Sequence, residues 1–272
     1  MLLYWSMFLV LTLGAVLNQE DEARRSRVLF ILFASIPSIL MIGLRWRIGP
    51  DWDNYHEIYN YSRLFSWSQA LFHSDPGFST LDLLLSQNSA PYWVQNLICG
   101  FVFIAGLTAF CLRQPNPWLA FLVAFPYLVI VIGMSGARQS IALGFLFFAL
   151  NAFERDRIYR GAILIVAGAL FHGSVILMLP ICLLSYARNT VQRLVLLVAS
   201  ALLYFYVFRD TFSVYAHRYS SERIQSAGLA YRLAMNGLAA VLFLIFRRRL
   251  GFDEHDSKLW RNISLCTLAL IP

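Results

Sequence analysis

The sequence predicts an all-α integral membrane protein, a polytopic helical bundle with broken or re-entrant helices and an extracytoplasmic helical loop. Three observations carry that expectation. Mean hydropathy is +0.61, with 59% hydrophobic and only 14% charged residues spread along the whole length, a balance that fits many spans rather than a soluble core. The apolar runs are continuous and lack the alternation of barrel strands, and only helices or closed barrels satisfy backbone groups in lipid. The basic residues sit in short links between these runs, where orientation in a membrane accounts for them.

The same distribution excludes nucleic acid as a partner despite the net charge of +7, because no long basic surface segment exists to hold it. Cys99, Cys111, Cys182 and Cys266 lie in or beside apolar runs without pairing or metal-ligand spacing, so they read as small hydrophobes. The chain starts Met-Leu-Leu-Tyr-Trp with no basic leader and no small-residue cleavage site. Its first run therefore reads as a span rather than a signal peptide.

Windows of about 17 to 25 apolar residues place spans at 2–17, 28–44, 92–111, 117–134, 137–152, 191–208 and 230–246. Arg24, Arg25 and Arg27 follow the first span, Arg155, Arg157 and Arg160 follow the fifth, and Arg247, Arg248 and Arg249 end the last. The excess of positive charge on cytoplasmic loops puts all three groups inside. The N-terminus, the loop 45–91 and the turn from Met134 to Arg138 then fall outside, and Arg113 inside.

That count tests segment 161–186, since one crossing there would send Arg188, Arg193 and the terminal arginine triplet to the wrong side. Two half-helices meeting at Phe171-His172-Gly173-Ser174 restore the parity. Broken helices at membrane depth survive only where they are buried in protein or line a wet cavity, so His172 is expected at such a tip.

Loop 45–91 is too long for a bare connection and carries its own helix signals. Ser66-Trp-Ser-Gln69 reads as a capping box, and Asp75-Pro76 as an N-cap followed by a first-turn proline. Two or three short helices are expected on the outer face, with Trp52, Tyr55, Tyr59, Phe65, Trp67 and Phe72 at the interface. A second outer segment, 209–231, is polar and rich in Arg and Tyr. The final run 263–272 reads as a span cut short, so the chain reads as one polytopic domain truncated at its C-terminus.

On this topology the outer side gathers Arg45, Arg47, Asp51, Asp53, Tyr55, Arg138, Gln139, His172, Arg223 and Arg232 from separated parts of the chain. Arginine carries a permanently charged planar fork that fits phosphate oxygens, so several around one cavity point to an anionic, lipid-linked substrate. Plainer readings stand beside this one. Arg45 and Arg47 also suit interfacial anchoring, Asp51 suits a helix N-cap, and His172 suits a locally satisfied helix-break residue. Arg138 lies between two apolar runs on the side where positive charge is disfavoured, so anchoring explains it poorly.

The ordered phrases Arg45-Trp-x-x-Gly49-x-Asp51-Trp-x-x-Tyr55, Asp75-Pro-Gly-Phe78, Gly136-x-Arg138-Gln139-x-x-Ala142, Leu170-Phe-His172-x-Ser174 and Gly228-x-x-x-Arg232 resemble those of the EpsG-type branch of Wzy polysaccharide polymerases. Each phrase alone is weak; in order over roughly 190 residues they are specific. The resemblance implies a glycosyltransferase that polymerises undecaprenyl-diphosphate-linked repeat units into O-antigen, capsule or exopolysaccharide. It also implies a place in the bacterial cytoplasmic (inner) membrane with the active site outside, and contact with membrane lipid and a chain-length regulator protein.

Transfer from a lipid diphosphate has a good leaving group, so fixed positive charge is the main requirement, and no metal or cofactor is expected. Arg138, Arg45 and Arg232 are the candidates for that clamp, and Asp51 or His172 for the proton acceptor. Asp51, Arg138 and His172 are thus the catalytic candidates; Arg45, Arg47, Asp53, Tyr55, Gln139 and Arg232 are those for substrate binding. The alternatives are a polysaccharide or lipid-linked sugar transporter or flippase, which also uses broken helices, and an O-antigen ligase-like transferase.

Overall fold

A computed structural model describes residues 2–17, 28–72, 75–187, 189–199, 201–203, 205, 229–252 and 254–269, and every regular element among them is helical. The chain forms two compact units, Met1–Val175 and Ile176–Pro272.

In the first unit, the expected spans 2–17, 28–44, 92–111, 117–134 and 137–152 coincide with helices Leu2–Leu17, Val28–Gly43, Tyr92–Cys111, Pro117–Ser135 and Ala137–Phe153. Tyr92–Cys111 and Pro117–Ser135 are long and apolar enough to cross a membrane. The others are shorter: the 17 residues of Ala137–Phe153 extend about 26 Å at 1.5 Å per residue, a little under the roughly 30 Å of a hydrocarbon core.

Tyr92–Cys111 is the axis of the unit. It packs along Ala137–Phe153 on one side and Ile36–Gly43 on another. Between apolar helices contact depends on close backbone approach, and small residues permit it. Gly106 lies directly against the Gly144 backbone, so a methyl group at either position would collide with the partner helix. Phe30 fills the space between Val28–Gly43 and Pro117–Ser135, edge-on to Trp118 at 5.2 Å and to Phe121 at 5.5 Å. A buried hydroxyl pair, Ser35 with Thr108 at 2.7 Å, adds a polar tie. Both Val28–Gly43 and Pro117–Ser135 contain π-helical turns, at Ile31–Ser35 and Phe125–Ile132. The second contains Pro126, which has no backbone N–H to donate.

The segment 45–91 holds three helices, Trp52–Ser62, Trp67–Leu71 and Pro76–Gln87. Ser66 and Gln69 form the reciprocal capping box read from sequence, and Pro76 stands in the first turn of its helix. Asp75 occupies the N-cap position but makes no side-chain cap bond; its carboxylate is used elsewhere. The turn leading into these helices requires Gly49, which adopts φ +99° and lies so close to the Met134 carbonyl that a Cβ would collide with it. That contact sets 45–62 against the end of Pro117–Ser135. At the opposite end of Tyr92–Cys111, Arg113 pairs with Glu154 at 2.7 Å.

The helix Ile158–Ala169 packs on Ala137–Phe153 and stops at Leu170. The chain resumes as a 3-10 turn, Gly173–Leu177, followed by Met178–Leu183, so the interruption falls where the sequence places it. The freed carbonyl of Leu170 accepts the Gly77 N–H at 2.8 Å, which satisfies a helix end by non-local means.

In the second unit, Glu254–Ala269 packs on Leu229–Phe246 and on Met178–Leu183, and Asn262 Nδ2 donates to Ser185 Oγ at 3.4 Å. The expected span 230–246 is this Leu229–Phe246 helix, and 191–208 lies partly outside the described residues. The run from Ile263 falls, as far as Ala269, in the second half of a helix, Glu254–Ala269, that carries Asp256, Lys258 and Arg261 in its early turns; residues 270–272 lie outside the described residues.

Candidate functional site

Arg138 is the centre of the clearest polar cluster. It stands in the first turn of Ala137–Phe153, where the helix dipole disfavours a cation, and its stability there depends on a counter-charge. Asp75 supplies it: Arg138 Nη1 donates to Asp75 Oδ2 at 2.8 Å. Arg138 Nε donates to the Tyr55 hydroxyl at 3.3 Å, and the guanidinium lies 5.3 Å from the Tyr55 ring and 6.0 Å from the Phe78 ring, within the range of cation–π attraction. No hydrogen bond from Nη2 is made among the described residues.

Asp75 has a second duty. Its Oδ1 accepts the Gly173 N–H at 3.4 Å, which ties the Pro76–Gln87 helix to the interruption after Ile158–Ala169. His172 sits beside that bond and feels the charges of both Asp75 and Arg138. Phe171 stacks on Phe145 at 5.6 Å, closing one side. Tyr55, Arg138 and His172, all expected from sequence, therefore meet through an aspartate from the Asp75-Pro-Gly-Phe78 phrase.

A cavity of about 170 Å³ opens beside Arg138, lined also by Ile58, Tyr61, Ser62, Phe65, Phe78, Ser79 and Asp82. Asp82 was missed by sequence reasoning. It is 1% exposed, and its Oδ1 finds no partner among the described residues. Burial pushes its carboxyl up to about 8 against the pull of the Arg138 guanidinium, as expected where desolvation outweighs a nearby opposite charge. One signal existed: Asp75 and Asp82 are two turns apart, so they share a helix face.

Arg45 lies elsewhere. It is 4% exposed, and donates from Nη1 to the Gly133 carbonyl at 2.9 Å and from Nη2 to Asn96 Oδ1 at 3.2 Å. Gly133 is in the last turn of Pro117–Ser135, where carbonyls lack helical partners and a cation is favoured. A cleft of about 490 Å³ runs past Arg45 between Trp46, Trp52, His56, Tyr59, Asn60, Tyr92 and Trp93. The Trp52–Ser62 helix thus turns Trp52, His56, Tyr59 and Asn60 to this cleft, and Tyr55, Ile58, Tyr61 and Ser62 towards Arg138.

The remaining candidates stand apart from both clusters. Arg47 is exposed, adopts φ 51°, and its guanidinium lies 5.9 Å from the Trp46 ring. Asp51, Asp53 and Gln139 are exposed; Asp51 holds the N-cap position of Trp52–Ser62 without a side-chain cap bond. Arg232 is on the Leu229–Phe246 helix of the second unit, with its side chain outside what is described, and Arg223 is outside the described residues. The four cysteines are free thiols.

A model of the EpsG family matches residues 28–272. No curated protein and no solved structure matches the chain. The two apolar helices and this match together suggest a membrane protein. Matched from Val28 to its last residue, the chain belongs to the EpsG family, and that membership suggests a polymerase-like part in exopolysaccharide biosynthesis.

Proposed function

We propose that the chain is a multi-pass glycosyltransferase of the bacterial cytoplasmic membrane, which polymerises undecaprenyl-diphosphate-linked repeat units at the outer face. The observation that carries this reading is the meeting of Arg138, Asp75 and Tyr55 at the rim of a cavity that also holds the buried Asp82. A permanent cation with Nη2 uncommitted among the described residues and a carboxyl of raised pKa are the two groups that glycosyl transfer from a diphosphate needs.

In the step proposed, a hydroxyl of the acceptor sugar attacks the anomeric carbon of the donor and its proton passes to a carboxylate. The bond from that carbon to the diphosphate oxygen breaks, and undecaprenyl diphosphate leaves with the electron pair. Arg138 stabilises the charge growing on the leaving oxygens, and an electrostatic contribution of this kind is commonly worth about 10²- to 10³-fold in rate. Asp82, raised to about 8, suits the proton acceptor because a general base works best near the operating pH. Tyr55 and Asp75 hold the guanidinium in position.

The test is conversion of purified lipid-linked repeat units by purified protein, wild type against Arg138→Ala at equal abundance. Long polymer from the wild type and single repeats from the variant are expected. No polymer from either would favour a carrier. Transfer of finished glycan to a different lipid would identify a ligase.

A further inference from the structure

Within that reading, which this inference assumes, the cleft on the opposite face of the Trp52–Ser62 helix has no assigned task. Its volume of about 490 Å³ falls within the roughly 300–1,000 Å³ of small-molecule sites, whereas the cavity at Arg138 is smaller than that. Its walls are aromatic. Trp46 is 71% exposed and Trp93 46%, while Trp52 is held between the His56 ring, stacked at 4.9 Å, and the edge of Tyr92 at 5.6 Å. Its lining also carries the polar side chains of His56 and Asn60, with Asn60 exposed and His56 partly so.

Three ligand chemistries compete for such a cleft. A diphosphate would want several cationic forks, and among the described residues Arg45 is the one arginine or lysine lining it, already committed to Gly133 and Asn96. An acyl chain would leave the polar groups His56 and Asn60 facing hydrocarbon. A pyranose fits both the aromatic walls and the polar lining, since its axial C–H face lies flat on an indole and its hydroxyls can bond to His56 and Asn60.

We propose that this cleft binds a neutral pyranose unit of the glycan, with Trp46 and Trp93 as its stacking platforms. One helix then separates the sugar-binding cleft from the charged site, so the glycan is gripped away from the atoms that react.

The probe is the repeat-unit oligosaccharide released from its lipid carrier by mild acid, titrated against the full chain in detergent while tryptophan fluorescence is read. Saturable binding is expected, weakened about tenfold or more by Trp46→Ala and by Trp93→Ala. Trp5→Ala, an exposed tryptophan on Leu2–Leu17, should bind as wild type. Absence of saturable binding, or wild-type affinity in both cleft variants, overturns the proposal. So does a fluorescence response to brominated phospholipid that the oligosaccharide cannot compete away, which would assign the cleft to lipid. Arg138→Ala separates the two readings. If it binds oligosaccharide normally yet still polymerises, the transferase site is misplaced and the cleft stands; if wild type polymerises but does not bind the free glycan, the reverse holds.

Discussion

Two arginines flank the Trp52–Ser62 helix, and their partners differ in kind. Arg45 is almost fully buried, and among the described residues its hydrogen bonds go to neutral oxygens, the Gly133 carbonyl and the Asn96 amide. Arg138 is half-buried, neutralised by Asp75, and leaves one nitrogen beside a cavity. A cation enclosed by a helix-end carbonyl and an amide acts as a bolt: it joins the start of the outer segment to two helices. A cation balanced by a carboxylate at a cavity rim is different, because a phosphate oxygen can share or displace that partner at small loss. The residue type is the same, and the partner decides whether the charge holds the fold or faces a ligand.

The largest effect that separates the two is on the reaction. Arg138→Ala should lower polymer formation by about 10²- to 10³-fold with protein abundance unchanged. Arg138→Lys should fall between, since a lysine keeps the charge but cannot serve Asp75, Tyr55 and a phosphate with one planar fork. Equal polymer length in wild type and Arg138→Ala would remove the distinction altogether.

Asp82 sharpens the comparison through pH. Its folded pKa of about 8 stands above the usual aspartate value near 4, so the folded state holds the proton more tightly than the unfolded chain. The associated stability is complete below about pH 4, declines by roughly 1.4 kcal/mol for each pH step of one as pH rises, and is lost by about pH 8. Asp82→Asn should flatten the dependence of the unfolding midpoint on pH across that window. If the carboxylate also accepts the hydroxyl proton, wild-type polymerisation should rise through about pH 8 and the variant should lack that limb. Substituting Arg138→Gln removes the charge that pulls Asp82 down, so the titration should move to higher pH.

These groups also mark how far the sequence is legible. Apolar runs and local caps were readable because their causes are local: the helices of the first unit and the Ser66–Gln69 box lie where periodicity and turn chemistry put them, whereas the interruption at His172 came from counting arginines across distant links. Asp75 was readable as the residue before Pro76, but the partners of its carboxylate lie 63 and 98 positions away, a distance no local rule spans. Asp82 looked like one acid in a leucine-rich stretch, and its burial depends on helices packed from elsewhere.

Arg45 offers a test on stability. Arg45→Met removes the donors of two buried acceptors, and a buried polar group left unsatisfied costs about 1–3 kcal/mol. The unfolding midpoint in detergent should fall accordingly, whereas Arg138→Ala, at a partly exposed position, should lower it less. An Arg45→Met midpoint at or above wild type would mean that enclosing the guanidinium costs more than its bonds return, as some buried ion pairs do, and the bolt would be the wrong description.

The smallest effect belongs to a position in the same outer segment that touches neither arginine. Ser66 Oγ accepts the Gln69 N–H at 3.3 Å, and the Gln69 side chain accepts the Ser66 N–H at 2.8 Å. Loss of an N-cap of this kind costs about 1 kcal/mol, and the five-residue helix Trp67–Leu71 that it starts is too short to hold itself without one. Ser66→Ala should therefore speed amide exchange in 67–71 and leave exchange at Tyr55 and Asn96 as in wild type. A change that spread to Tyr55 or Asn96 would mean that the two arginines are coupled through the outer helices rather than independently held, and the contrast between them would have to be redrawn as one cooperative unit.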